Sequence, residues 1–261
     1  MMSDVSMTTN NPRFSLGRYL AAWSVHVLTA STAVVGVLTL FAISRQQYIE
    51  ALWWMGAAIV IDAIDGSFAR LVDVKRVLPN IDGALLDNIV DYLNYVITPC
   101  FLLVMHPNML PDNWQWFVVS CIALSSAYQF TQADAKTPDH FFKGFPSYWN
   151  IIVFYLFIFH TGPMSNGIIL IFLSIMVFIP IKYVYPSRLD YLTELPWLKV
   201  TMLMATILYG INSALLLWDY PNKHSVFVTY SLAYVIFYLG FSLFRTYVPL
   251  LKEKISQVSN R

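Results

Sequence analysis

The chain has 261 residues, of which 57% are hydrophobic and only 12% are charged, and its formal net charge is +1. This composition excludes an ordinary soluble domain and a disordered chain, and the near-zero net charge predicts no nucleic-acid partner. The apolar residues form long continuous runs, unlike the alternating segments of an outer-membrane barrel, so we expect no strands. We therefore predict an all-α, polytopic integral membrane helical bundle.

The N-terminus does not have the pattern of a cleaved secretion signal, because residues 1–12 are polar and carry Asp4. Residues 12–24 combine aromatic and aliphatic side chains with Arg13 and Arg18, which is typical of a short helix at the membrane interface. The alternative interpretation is that this segment is the first part of the first membrane span.

About eight apolar segments approach the roughly 20 residues that a helix needs to cross a bilayer. They cover residues 20–43, 48–69, 83–105, 114–133, 147–161, 165–185, 197–217 and 225–247. With eight spans, 14 basic residues collect on the side of both termini and two on the other side. Because basic residues concentrate in cytoplasmic loops, we predict cytoplasmic termini. Since no segment outside the membrane is long enough to fold alone, we predict one domain over residues 1–261.

Four aspartates interrupt the second and third predicted spans, where carboxylates are energetically costly and usually mark a functional site. The pattern at residues 62–91 comprises, in order, Asp62, Asp65, Gly66, Ala69, Arg70, Gly83, Asp87 and Asp91. Spacings of three and four residues place each half of this pattern on one face of its helix. Because the two helices are joined by a short cytoplasmic loop, folding them together brings the carboxylates together near the cytoplasmic surface.

Four neighbouring carboxylates would repel one another unless cations lie between them, and Mg²⁺ or Mn²⁺ prefer such oxygen ligands. Pairs of these ions commonly serve phosphoryl transfer. The small residues of the pattern would let a ligand approach the backbone, and Arg70 could donate to a phosphate. Alternatively, each position taken singly could be a helix-packing contact or, in a cation-coupled transporter, part of an ion path. The clustering of the carboxylates at one end argues against a path across the bilayer.

The spacing D-x2-D-G-x2-A-R followed by G-x3-D-x3-D resembles the signature of the CDP-alcohol phosphotransferase family, and every signature residue is present. Members of that family are membrane enzymes that transfer a substituted phosphate from a cytidine nucleotide to an alcohol and release CMP. The twelve residues between Arg70 and Gly83 exceed the commonest spacing in the family. This longer gap, the chain length, the eight spans and the stretch 144–150 resemble a bacterial branch that joins choline directly to CDP-diacylglycerol.

The resemblance implies a role for each matching residue. Asp62, Asp65 and Asp87 are expected to bind two Mn²⁺ or Mg²⁺ ions, and Asp91 to act as general base and also to contact one ion. The residues expected to line the CDP-diacylglycerol site are Gly66, Ala69, Arg70 and Gly83, together with Thr29, Ser31 and Thr32 of the first span. The resemblance also implies a homodimer, surrounded by membrane lipids, in the bacterial inner membrane with its site at the cytoplasmic side.

Choline carries a permanent positive charge, which proteins commonly bind with aromatic faces and a nearby anion. The aromatic residues that we predict to bind choline are Tyr92, Tyr95, Tyr148 and Trp149, with Tyr128, Tyr183 and Tyr185 as further candidates. Asp134 or Glu194 could supply the anion. The basic residues Lys136, Lys143, Lys182 and Arg188 are scattered, which favours an acceptor without phosphate. Serine as the acceptor remains an alternative, as does CDP-choline as the donor with diacylglycerol as the acceptor.

Overall fold

The structure is a computed structural model that describes residues 14–135, 137, 141–185 and 196–259, without the side chains of 198 and 249–259. The α-helices are α1 (Leu16–Ser44), α2 (Tyr48–Val72), α3 (Val74–Val77), α4 (Gly83–Asp91), α5 (Thr98–Met105), α6 (Gln115–Thr131), α7 (Trp149–Phe159), α8 (Pro163–Met176), α9 (Pro196–Trp218) and α10 (Ser225–Ser259). A π-helical segment, Tyr92–Ile97, joins α4 to α5, and strand β1 (Phe142–Lys143) pairs antiparallel with β2 (Lys182–Tyr183). The candidate residues Lys136, Arg188 and Glu194 lie outside the described residues.

Helices coincide with all eight predicted apolar segments, so the prediction of a helical membrane protein is confirmed. Four of the described helical stretches are long and apolar enough to cross a membrane: Leu16–Ser44, Gly83–Met105, Lys199–Trp218 and Ser225–Val248. The 11 residues of α7 and the 14 residues of α8 fall short of the roughly 20 that a crossing needs. The number of crossings beyond those four therefore remains a prediction.

The sixth predicted span, 165–185, is helical only as far as Met176. Pro180 cannot donate a backbone hydrogen bond and disfavours helical geometry at the residue before it, so the helix does not continue. The chain instead forms β2, and the expectation of no strands is wrong at this two-stranded ribbon. Each strand has only two residues, which is too short to produce an alternating pattern in the sequence.

Helix α1 is continuous from Leu16, so the described part of the predicted interfacial segment forms its first turns. Leu16, Leu20 and Trp23 are exposed there, and the Arg18 guanidinium lies 5.0 Å from the centre of the Phe14 ring. Exposed apolar side chains beside a basic residue are typical of a helix segment at the membrane interface, between the lipid headgroups and the acyl chains.

The first helix is also the packing centre for the carboxylate-bearing helices, since it contacts α2, α4, the π-helical segment and α5. Small residues allow the close approach of α1 and α2, because Ala42 of α1 and Ala51 of α2 share one apolar cluster. In a second cluster, Ala22 of α1 packs with Val74 and Val77 of α3. Both helices that carry aspartates are therefore held against the same partner.

The π-helical segment begins directly after Asp91. Pro99 cannot donate to the carbonyl of Tyr95, and its ring crowds that carbonyl, so a wider turn relieves the conflict. The Asn94 side-chain amide stabilises this turn by donating to the carbonyls of Val90 at 2.8 Å and Thr32 at 2.9 Å. The second of these bonds ties the segment to α1.

The ribbon is fixed by backbone contacts that require glycine at position 144. Gly144 has φ of +81°, and a Cβ there would lie 2.0 Å from the carbonyl oxygen of Val177. Its amide donates to the Ile181 carbonyl at 2.9 Å. Two hydroxyls of α10 accept hydrogen bonds from β2 and the residue that follows it, Thr246 from the Lys182 amide at 2.8 Å and Ser242 from the Val184 amide at 3.3 Å. The ribbon is thus held between α8 and α10.

Candidate active site

Three carboxylates converge where α2 and α4 pack on α1. One oxygen each of Asp62, Asp87 and Asp91 lies within 4.8 Å of the others, and all three residues are half-buried. The four-residue spacing of Asp87 and Asp91 places both on the same face of α4. This oxygen-rich donor set fits a hard divalent cation, which prefers carboxylate ligands.

Asp65 lies on α2 but outside this group of three. It is 5% exposed, and its Oδ2 accepts a hydrogen bond from the Thr29 hydroxyl at 2.7 Å. Helix α1 therefore contributes a side chain that orients the fourth predicted metal ligand.

Tyr95 connects the π-helical segment to the carboxylates. Its hydroxyl donates to Asp62 Oδ2 at 2.7 Å, and its ring centre lies 6.1 Å from that of Tyr148. Tyr95 itself is buried. A hydrogen bond of this kind fixes the direction in which a carboxylate presents its remaining electron pairs to a metal.

The residues predicted for the nucleotide lie around the same helix ends. Gly66 faces Arg70, and a Cβ on Gly66 would stand 3.5 Å from Arg70 Nη1. Arg70 is exposed, and its guanidinium donates to the Ser67 hydroxyl at 3.0 Å within its own turn. Ala69 packs against the apolar cluster that contains Ala22. Gly66 and Arg70 therefore lie between the aspartates of α2 and the C-terminal end of that helix.

Gly83 is the first residue of α4 and packs against His26 of α1. A Cβ on Gly83 would lie 3.0 Å from His26 Cε1, so a larger residue there would crowd the imidazole ring. His26 is 6% exposed, and its Nε2 has no hydrogen-bond partner among the described residues. Asp82 caps α4 by accepting from the amides of Ala84 and Leu85. His26 could not be predicted from the sequence, since a single histidine in an apolar helix forms no ligand spacing.

The three hydroxyl residues of α1 differ in what they contact. Ser31 donates to the Leu28 carbonyl and Thr32 to the Thr29 carbonyl, both at 2.6 Å. Such bonds satisfy a hydroxyl within its own helix. Of these three, Thr29 is the one that reaches a carboxylate in the described structure, at Asp65.

The four aromatic residues predicted to bind choline separate into two pairs. Tyr95 and Tyr148 lie beside the carboxylates, as the contacts above show. Tyr92 donates instead to the Ala123 carbonyl at 3.0 Å, and the fully buried Trp149 donates to the Ser126 hydroxyl at 2.7 Å. Those bonds hold Tyr92 and Trp149 against α6.

Of the further candidates, Tyr185 packs on Phe142, with ring centres 4.5 Å apart. Tyr128 is exposed and packs on Phe178, with ring centres 5.0 Å apart, while Tyr183 belongs to β2. Asp134, a candidate anion, pairs with Lys143 at 2.6 Å. The bonded ammonium lowers the pKa of the Asp134 carboxyl, so both members of this exposed pair are charged at neutral pH.

Comparison with known proteins places these features in a recognised group. The family model described as CDP-alcohol phosphatidyltransferase matches residues 24–184, which include the four aspartates and the ribbon. A phosphatidylcholine synthase of Legionella pneumophila is 56% identical over 250 residues, covering 96% of this chain and 98% of the relative. Phosphatidylcholine synthases of Legionella bozemanae (57% over 217 residues, 83% of this chain and 100% of the relative) and Rhizobium meliloti (35% over 202 residues, 77% and 82%) are similar as well.

Proposed function

The chain belongs to the CDP-alcohol phosphatidyltransferase family, and from that membership we propose that it transfers the phosphatidyl group of CDP-diacylglycerol to choline, forming phosphatidylcholine and releasing CMP. The observation that carries the proposal is the convergence of Asp62, Asp87 and Asp91 within 4.8 Å of one another. It occurs in a chain that is 56% identical to a phosphatidylcholine synthase over nearly the full length of both.

CDP-alcohol phosphatidyltransferases generally depend on divalent metals, and the clustered carboxylates suit that dependence. We propose that two Mn²⁺ or Mg²⁺ ions are held by Asp62, Asp87 and Asp91 together with Asp65. Bound there, such ions would offset the charge of the diphosphate and of the departing CMP. The Thr29 hydroxyl and the Tyr95 hydroxyl orient two of these four carboxylates.

Asp91 has the position for a general base, since it is half-buried beside the other carboxylates at the start of the π-helical segment. It accepts the proton of the choline hydroxyl as that oxygen attacks the phosphorus that bears diacylglycerol. A new phosphorus–oxygen bond forms, and the bond to CMP breaks with its electron pair leaving on CMP. A base in this role must lie within hydrogen-bond reach of the hydroxyl.

The donor nucleotide, in this proposal, lies between the outer ends of α2 and α4. We place Gly66, Ala69 and Gly83 along the cytidine diphosphate, with His26 packed against Gly83 and the apolar cluster of Ala22 packed against Ala69. Arg70 can turn from Ser67 to a phosphate oxygen. Thr29, Ser31 and Thr32 complete this side from α1. The acceptor approaches at Tyr95 and Tyr148. Tyr92 and Trp149, which are hydrogen-bonded to α6, support that side of the site.

We also propose a bacterial inner-membrane location, with both termini and the site on the cytoplasmic side, and a single domain over residues 1–261 that forms a homodimer. The uneven distribution of basic residues, 14 on one side and two on the other, supports this orientation. The connection between α2 and α4 includes α3, which carries Lys75 and Arg76 among the 14 basic residues of that side.

The proposed reaction is tested by offering the purified, detergent-solubilised protein CDP-diacylglycerol and Mn²⁺ with one acceptor at a time. We expect CMP release with choline and none above background with serine, glycerol 3-phosphate or inositol phosphate. CMP release with serine alone would replace choline by serine in the assignment. Phosphatidylcholine formed only from CDP-choline and diacylglycerol would reverse the donor and acceptor, and no turnover in any combination would contradict the assignment.

Replacing Tyr95 with Phe is expected to weaken Mn²⁺ binding by about 10–100-fold, the usual cost of losing an outer partner of a metal ligand. The ring stays, but the hydrogen bond to Asp62 is lost. Calorimetric titration with Mn²⁺ measures the effect without turnover. Tyr230→Phe is the matched control, because the Tyr230 hydroxyl bonds the Ala205 carbonyl away from the site. Equal Mn²⁺ affinity in both variants would contradict the role of Tyr95.

A further inference from the structure

Three half-buried aromatic rings meet at the junction between the ribbon and α7. The ring centres of Phe142 and Tyr148 are 6.0 Å apart, with their planes at 84°. Those of Phe142 and Tyr185 are 4.5 Å apart, with their planes at 56°. We call Phe142, Tyr148 and Tyr185 the aromatic corner, because two nearly perpendicular ring planes meet in it.

The aromatic corner adjoins the carboxylates through Tyr148. The Tyr148 ring neighbours that of Tyr95, whose hydroxyl bonds Asp62. The Asp62 carboxylate in turn lies within 4.8 Å of that of Asp91. A small cation against these rings would therefore stand near the group that we propose as the base.

The rings are carried by a backbone that is already fixed. Gly144 locks the end of β1 against Val177, as described above. Ser147, which precedes Tyr148, is fully buried with φ of +53°, and its hydroxyl donates to Gln129 Oε1 at 2.6 Å. Binding to a preorganised surface costs less ordering entropy than binding to mobile side chains.

The chemistry of the corner suits a quaternary ammonium group. Such a group has no N–H to donate, so it gains its attraction from ring faces and from nearby negative charge. Lys143 follows Phe142 in β1, and successive strand residues point to opposite faces. Lys143 is also paired with Asp134 at 2.6 Å, which compensates its charge. Lys143 therefore does not oppose a positively charged ligand at Phe142.

We propose that the aromatic corner binds the trimethylammonium group of the acceptor and thereby selects among acceptors by the number of their methyl groups, an inference that rests on the proposed function. Choline has two carbons between its nitrogen and its hydroxyl, so an ammonium group held at the Tyr148 side of the corner is expected to keep the hydroxyl on the side of Tyr95 and the carboxylates. The ribbon residues Phe142 and Tyr185 thus join Tyr148 and Tyr95 as determinants of specificity.

The test measures steady-state kinetics and, separately, choline binding by calorimetry. Phe142→Leu and Tyr148→Leu remove a ring face, and each is expected to raise the KM for choline by about 2–30-fold, the range of a single cation–π contact, with the KM for CDP-diacylglycerol unchanged. Tyr148→Phe keeps the ring, so its KM for choline should stay near that of the wild-type protein. Phe154→Leu is the matched control, since Phe154 is equally half-buried but packs on Tyr155, with ring centres 5.2 Å apart. Wild-type turnover should fall stepwise from choline to dimethylethanolamine to ethanolamine.

The possible outcomes test the aromatic corner and the proposed reaction separately. Turnover of choline with an unchanged KM in both leucine variants would overturn the aromatic corner and leave the proposed function intact. Binding of choline that is weakened in both leucine variants, without turnover in the wild type, would support the corner and contradict the proposed reaction. If the wild-type protein neither binds choline nor turns it over, both proposals are overturned.

Discussion

Replacing Asp91 with Asn is expected to reduce kcat by about 10²–10⁴-fold, the contribution of a well-placed general base. The amide has nearly the shape of the carboxylate but cannot accept the proton of the attacking hydroxyl. The carboxylates of Asp62 and Asp87 remain, so binding of CDP-diacylglycerol should be largely kept. The measurement is CMP release at saturating choline, with CDP binding followed by calorimetry.

Asp112→Asn provides the control for this variant. Asp112 is exposed in the connection between α5 and α6, where the same change of charge touches none of the clustered carboxylates. It should leave kcat unchanged. A graded loss of nucleotide affinity in Asp91→Asn with kcat preserved would show that Asp91 contributes to ligand binding and does not act as the base. That result would favour a binding or transport role for the protein.

For Asp87→Asn we expect a loss of Mn²⁺ affinity of more than about 100-fold. Losing a hydrogen-bond partner of a metal ligand typically lowers metal affinity by about 10–100-fold, and here a direct ligand of the metal is lost. Asp87 shares its cluster with Asp62 and Asp91, and the amide oxygen that replaces its carboxylate carries no full negative charge. Mn²⁺ titration should show the bound stoichiometry fall from two ions per chain, and turnover should fail at Mn²⁺ concentrations that saturate the wild type.

Asp73→Asn is the control for the metal variant. Asp73 is exposed at the C-terminal cap of α2 and has φ of +57°, a left-handed conformation that asparagine also adopts readily. The backbone there should be undisturbed and Mn²⁺ binding normal. Unchanged Mn²⁺ stoichiometry and affinity in Asp87→Asn would contradict a metal site at the three carboxylates.

The convergence of the carboxylates could be predicted because it follows from local geometry. A four-residue spacing fixes the shared face of Asp87 and Asp91, and a short loop between two helices brings their adjoining ends together. Continuous apolar runs likewise predict helices in a membrane protein. The partners of those carboxylates follow from packing instead: Thr29 and Tyr95 meet Asp65 and Asp62 across helices.

Other features depend on contacts between residues that are distant in the chain. The ribbon joins residue pairs about forty positions apart, with Phe142 opposite Tyr183, and each strand is too short to leave a periodic signal. Trp149 and Tyr148 are neighbours in sequence, yet one is fully buried against Ser126 and the other remains half-buried beside Tyr95. Pro99 did carry a local signal for the π-helical segment, because a proline within an apolar helix must disturb the turn before it.

The position of the carboxylates along their helices decides where the lipid product is released. Asp62 lies about 15 Å from the end of α2 and Asp91 about 12 Å from the start of α4. In the orientation that we propose, we therefore expect the site to lie in the cytoplasmic half of a hydrocarbon layer about 30 Å thick. A lipid whose headgroup is exchanged there keeps both acyl chains in the same leaflet throughout. We therefore expect newly made phosphatidylcholine to appear first in the cytoplasmic leaflet, and its appearance in the opposite leaflet to require a separate flipping activity.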